Sequence, residues 1–162
     1  MSITENYKIV PVMNAADVGV ALAGDSIDMS GYHKATFICT FGAVAGAGGT
    51  VDIYSGATNA SLDSALTFDY AYGGAAIGTA VAGSASSSDV LAAWSSGTTA
   101  AIGDSAHDNY MLVCKVDASA MDIANGEKWL TIYPNAGTSG VCHIVAILEP
   151  RYTGNRSVTC LA

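Results

Sequence analysis

A chain of 162 residues fits one domain and can bury a core without disulfides or metals to staple it. Its net charge of −8 comes from 14 acidic against 6 basic residues, and the bases Lys8, Lys34, Lys115, Lys128, Arg151 and Arg156 are scattered, which argues against a nucleic-acid partner. Charged residues make up only 12% of the chain, against about 25% in an ordinary soluble domain, so Ser, Thr, Gly and Ala must form much of the surface, a composition suited to a protein covered by partners.

The first 20 residues hold one base, Lys8, the acids Glu5 and Asp17, and no apolar core of the kind a secretory signal needs. Residues 7–12 alternate as a strand, and Pro11 cannot donate to a central ladder. Residues 1–12 are therefore expected to be an N-terminal arm or edge strand, able to lie on a neighbour's sheet through Tyr7, Lys8, Ile9, Val10 and Pro11. Next comes Gly24-Asp25-Ser26, a tripeptide with which one large hydrolase family presents its nucleophile, and it recurs at Gly103-Asp104-Ser105. A serine nucleophile needs a base and an oxyanion hole, set in that family on a doubly wound α/β scaffold. No such scaffold is legible here, and the one Asp-x-x-His spacing, Asp104 to His107, overlaps the second copy. Ser26 and Ser105 are expected to be turn residues bonding nearby amides, and the protein is not expected to be an enzyme.

From residue 34 onward, period-two alternation dominates. In "KATFICTF" the residues Ala35, Phe37, Cys39 and Phe41 share one face and Lys34, Thr36, Ile38 and Thr40 the other. "TVDIYSG" turns Val51 and Ile53 inward and closes with Ser55-Gly56 turn chemistry. Further strands are expected at 66–72, 109–116, 129–133 and 141–148, with a core that includes Phe37, Ile53, Leu112, Leu130 and Ile144. Phe68, Tyr70 and Tyr72 align on one face, as a packed sheet surface or as a sugar platform. Residues 72–88 form an uncharged Gly/Ala/Ser segment, either a linker or a loop ordered against something else.

Two short helices are candidates, "SSDVLAAW" with Ser88 as its cap and "ASAMDIAN" after Asp117. Asp104, Asp108 and Asn109 share a loop, as do Asp117, Asp122 and Glu127, yet neither run has the alternating acids of a calcium loop, and no metal or cofactor is expected. His33 and His143 stand in or beside strands, as structural imidazoles. The run "VCHIVAIL" at 141–148 falls far short of the roughly 18 apolar residues of a membrane helix, so no membrane partner is expected. Cys39, Cys114, Cys142 and Cys160 fall singly and are expected as buried free thiols. Asn59 and Asn155 open acceptor triplets for glycosylation, a frequent chance pattern that means little without a secretory signal.

Many short strands with tight turns predict an all-β fold, an antiparallel β-sandwich or jelly-roll-like domain with one or two short helical turns. The domain spans 13–153 with the Gly/Ala/Ser-rich loop 72–88, and 154–162 forms a C-terminal tail.

Taken in order, "YKIVPVMNAADVG", "DSIDMSGYHKATFICTFGAVAG", "TVDIYSGAT", "LTFDYAYGG", "VDASAMDIANGEKWLTIYP" and "VAILEPRYTG" make a series over most of the chain that resembles the small head-decoration or cement proteins of tailed bacteriophages. The elements that match are Val10-Pro11, the strand 32–42, the strand 51–58 and Arg151-Tyr152 after an apolar strand. The resemblance implies a structural protein of the virion, assembled in the host cytoplasm, whose partners are the major capsid protein and its own copies, commonly as a homotrimer. The Gly/Ala/Ser stretch is longer than that pattern. The alternative is a glycan-binding β-sandwich on a virion or cell surface, with Phe68, Tyr70 and Tyr72 as the platform.

Overall fold

The computed structural model describes residues 6–46, 48–77, 87–103, 106–152, 154 and 158–161. Two antiparallel sheets pack as a β-sandwich. One has six strands in the order β1 (Lys8–Asp17), β11 (Ser139–Pro150), β3 (Tyr32–Ala45), β9 (Met111–Asp117), β6 (Phe68–Tyr72) and β7 (Ser95–Gly97). The other runs β2 (Ile27–Asp28), β10 (Trp129–Asn135), β4 (Thr50–Gly56) and β5 (Ser64–Ala65), and β8 (Thr99–Ala101) also pairs with β4. The helical elements are the 3-10 turns Met29–Gly31, Ala118–Ala120 and Ile123–Asn125.

The alternation along each strand decides what each sheet buries. In β3, Ala35, Phe37 and Cys39 are fully buried and Phe41 nearly so, while Thr36, Ile38 and Thr40 stand half-buried on the other side. Val51 and Ile53 of β4 and Leu130 and Ile132 of β10 face them across the core. All five expected core residues, Phe37, Ile53, Leu112, Leu130 and Ile144, are 0% exposed, and truncating one such aromatic or aliphatic side chain to alanine costs about 3–5 kcal/mol.

Two segments outside the long strands pack against the sandwich. The sheet edge at β1 is closed by residues 24–28, because Gly24 N–H donates to Ile132 C=O in one sheet (2.9 Å) and Asp25 N–H to Val12 C=O in the other (3.0 Å). The tail contributes too. Asp28 N–H donates to Cys160 C=O at 2.8 Å, Ile27 bridges Leu161, and Cys160 is only 5% exposed. The expected boundary at 12/13 falls inside β1, and beyond the one at 153/154 the tail residues Val158, Thr159 and Cys160 line a cavity together with Asp28 and Tyr32.

At the far end of β1 the Asp17 carboxylate accepts from Gly19 N–H (2.9 Å) and Gly140 N–H (3.2 Å), and these two bonds hold its carboxyl below the usual carboxylate range. The backbone there is so close that a Cβ on Gly19 would sit 2.3 Å from Thr138 C=O.

The second expected helix is present as two 3-10 turns capped by Asp117 and Asp122, the latter closed by Gly126 at φ 77°. The first is not. After one turn closed by Val90 N–H to Ser87 C=O, the chain extends, Leu91 bridging Gly73 and Ala92 N–H bonding Tyr72 C=O at 2.8 Å. Backbone pairing with the end of β6 outcompetes a helix too short to be stable on its own. Most of the 72–88 loop, residues 78–86, lies outside the described residues, but its two ends are fastened through Gly74 N–H to Val90 C=O and Ile77 N–H to Asn109 C=O, both 2.7 Å.

Candidate functional site

The five residues expected to form a contact arm are divided by the pleat. Tyr7 precedes β1, and Lys8 opens it with its ammonium donating to Val158 C=O at 2.8 Å. Val10 is core, 2% exposed, whereas Ile9 and Pro11 lie on the outer face. Lys8–Pro11 pair residue for residue with 145–148 of β11, which makes this segment an edge strand of the chain's own six-stranded sheet. The reason is β11, an interior strand whose backbone donors and acceptors need a strand on each side. β1 supplies one, and its free edge is blunted by Pro11, by register breaks at Met13 and Ala16, and by Asp25.

What the register assembles instead is the outer face of the six-stranded sheet. One cross-strand row reads Pro11, Val145, Ile38, Val113, Ala71, apolar across five strands. Val113 and Ala71 are buried yet stand outside the core cluster, and Ile38 and Val145 are half-buried. The adjacent row reads Ile9, Ile147, Thr36, Lys115, Asp69, with Ile9 49% exposed. Beyond it Glu149, Lys34 and Asp117 alternate in charge. The Ser119 hydroxyl and amide, and more weakly Lys34 and His33, keep the Asp117 carboxyl below its usual range. Lys115 lies 3.6 Å from the ring centroid of Trp94, itself 41% exposed. The face is thus an apolar strip bordered on one side by charges of both signs, with an exposed aromatic beside it. Val113 and Ala71 are already covered within the chain, so the apolar surface this face leaves open is chiefly that of Ile9, Pro11, Ile38 and Val145.

Sequence inspection missed this strip because its members come from five strands. One signal was available: "VCHIVAIL" is apolar at successive positions, and a strand covered on one face only would alternate.

Phe68, Tyr70 and Tyr72 do share a face, and it is the inner one. Phe68 is 2% exposed, Tyr70 and Tyr72 pack against the core, and the Tyr72 hydroxyl donates to Ala101 C=O of the opposite sheet. Tyr72 stacks on His107 at 4.4 Å between centroids, and burial, with smaller contributions from Tyr70 and Cys114, pushes its phenol up to about 12. These rings close the open side of the sandwich.

The other singled-out residues take structural places. Ser26 is 4% exposed and is no surface turn: its hydroxyl bonds Thr131 Oγ1 at 2.6 Å and accepts from Ala60 N–H at 3.1 Å, an amide far along the chain. Asp104 and Ser105 lie outside the described residues. Asp108 accepts from Val44 N–H at 2.6 Å, while Asp117 and Asp122 serve as caps. Glu127, 5% exposed, accepts from the hydroxyls of Ser55 and Ser64. His33 is exposed and His143 half-buried on the outer face. All four cysteines are buried and free, and the Cys39 thiol is raised well above its ordinary value by its bond with Cys114 and by burial. Among the described residues no helix is long and apolar enough to cross a membrane.

No family model matches the chain and no curated protein matches it. Among solved structures it is similar to the SPBc2 prophage-derived protein YomS, with a TM-score of 0.47 and 10% sequence identity over 88% of this chain and 93% of that one, a likeness too slight to carry an argument.

Proposed function

We propose that this chain is a structural, non-enzymatic virion protein that decorates a phage capsid, bridging neighbouring major-capsid subunits as a homotrimer. The sequence resemblance supplies the class, and one observation carries the reading to a surface: the neighbouring apolar side chains Ile9, Pro11, Ile38 and Val145, left exposed or half-buried on the outer face of the six-stranded sheet. A decoration protein binds subunits already fixed in a lattice, so each added contact acts at high effective concentration and a broad, shallow strip suffices.

The test is Ile38→Asp beside Val145→Asp. Both side chains are half-buried and outside the core, so each variant is expected to melt within a few degrees of the parent, while bound copies per expanded capsid fall at least about tenfold, the equivalent of about 1.4 kcal/mol. Full occupancy by both variants would refute the assignment of this face. Sedimentation of the parent as a single 16.3 kDa chain at micromolar concentration would refute the trimer.

A further inference from the structure

The opposite sheet presents a different outer surface. On β4 the residues Thr50, Asp52 and Tyr54 point away from the core, and on β10 so do Tyr133 and Asn135. Register sets Tyr133 beside Asp52 and Asp52 beside Thr99 of β8, with Asn135 beside Thr50 in the next row. Thr99 is exposed, and the other five are half-buried and open to ligand.

The Asp52 carboxylate is held in place by two hydroxyls, Thr50 Oγ1 donating to Oδ2 at 3.0 Å and Thr99 Oγ1 to Oδ1 at 2.7 Å. A carboxylate has about four acceptor sites, so roughly one per oxygen remains open. Among the described residues no lysine or arginine comes within ion-pair distance of it; Lys128 is engaged by Asp28 at 3.3 Å. The rings of Tyr54 and Tyr133 meet edge to face at 6.0 Å and 88°, a right-angled aromatic corner beside the carboxylate. Asn135 spends its carbonyl on Gly137 N–H at 3.0 Å, which fixes the amide and assigns its nitrogen the role of donor.

We infer that Asp52, Tyr54, Tyr133 and Asn135 form a saccharide-binding subsite that takes a vicinal diol. The two free acceptor positions of one oriented carboxylate match adjacent hydroxyls, and bonds from hydroxyl to carboxylate are the strong, charge-assisted kind. The C–H face of a sugar ring lies against one tyrosine, whose flat, rigid side chain gives contact area at low entropic cost. The donor at Asn135 decides against the main competitor, an arginine of a protein partner. A guanidinium only donates and leaves that amide unanswered, whereas a hydroxyl donates to Asp52 and accepts from Asn135. Burial, with Asp52 and Tyr133 nearby, raises the Tyr54 phenol, so its hydroxyl stays a neutral donor. This subsite is independent of the capsid-facing strip, which lies on the other sheet.

The experiment is a printed oligosaccharide array in which each spot has a periodate-oxidised duplicate, its vicinal diols cleaved, together with arginine-rich peptide spots. The full chain is expected to be retained on a subset of intact saccharides and lost from their oxidised duplicates. Asp52→Ala and Tyr133→Ala are expected to weaken retention at least tenfold while melting within a few degrees of the parent, and Ile38→Asp to leave it unchanged. Retention on no saccharide, retention that survives periodate or Asp52→Ala, or retention on the arginine peptides alone overturns the inference.

Discussion

Replacing Glu127 with alanine tests whether a buried carboxyl fastens the second sheet. Glu127 is 5% exposed and joins three segments: its own loop before β10, Ser55 of β4 through Oε2, and Ser64 of β5 through Oε1 at 2.8 Å. Each bond contributes about 1 kcal/mol net, and leaving the hydroxyl of Ser55, a 0% exposed residue, without a partner adds about 1–2 more, so the expected loss is about 3 kcal/mol. For a chain of this size that lowers Tm by about 6–12 °C. The assay is urea and thermal unfolding of Glu127→Ala, Ser55→Ala and the double variant. Because Ser55→Ala removes the orphaned hydroxyl, the double variant is expected to lose at least about 1 kcal/mol less than the sum of the singles. A single-variant loss below about 0.5 kcal/mol, or strict additivity, would refute the clamp.

Asp17→Asn removes a carboxyl whose folded-state pKa is depressed by the Gly19 and Gly140 amides. A depressed carboxyl contributes stability above its unfolded value of 3.8 and loses it as pH falls through the lower folded value, so the Tm gap between variant and parent is expected to be full at neutral pH and to shrink progressively as pH falls below 3.8; a gap that does not shrink there would contradict this. Gly19→Ala forces a Cβ to within 2.3 Å of Thr138 C=O and 2.8 Å of Ser139 Cα, backbone that cannot rotate away, and is expected to cost about 2–3 kcal/mol. Gly154→Ala, where a Cβ meets nothing within 4 Å, is the control expected to melt with the parent.

The strands that could be read from the sequence are those with one apolar face. "TVDIYSG" was legible to the residue because Val51 and Ile53 alternate with Asp52 and Tyr54 and a Ser-Gly pair ends it. β7 and β8 were not, since "SSG" and "TAA" carry too little hydrophobic contrast to reveal a face; they are strands because β6 and β4 offer them edges. The direction of a face was equally hidden. Alternation put Phe68, Tyr70 and Tyr72 together but not on the inside, and Asp52 with Tyr54 became a site only when register brought Tyr133, Asn135 and Thr99 beside them. Such pairings join residues 47 to 85 positions apart, beyond the reach of any local pattern. The partner of the edge strand β1 was hidden for the same reason, β11 lying more than 120 residues downstream.

The position of β11 between β1 and β3 has a consequence for how the molecule is made. As the chain emerges from the ribosome, β3 can find β9 once residue 117 is out, and the six-stranded sheet can begin to grow from its middle. β1 has no such opportunity. It waits, with Val10 and Val12 uncovered, until residues 139–150 follow and slide in between it and β3. Closing that long loop is entropically slow. Translation stalled anywhere before residue 139 therefore leaves a sheet with two open, apolar edges, a species that seeks other chains, and the same last strand that completes the fold is what ends the exposure.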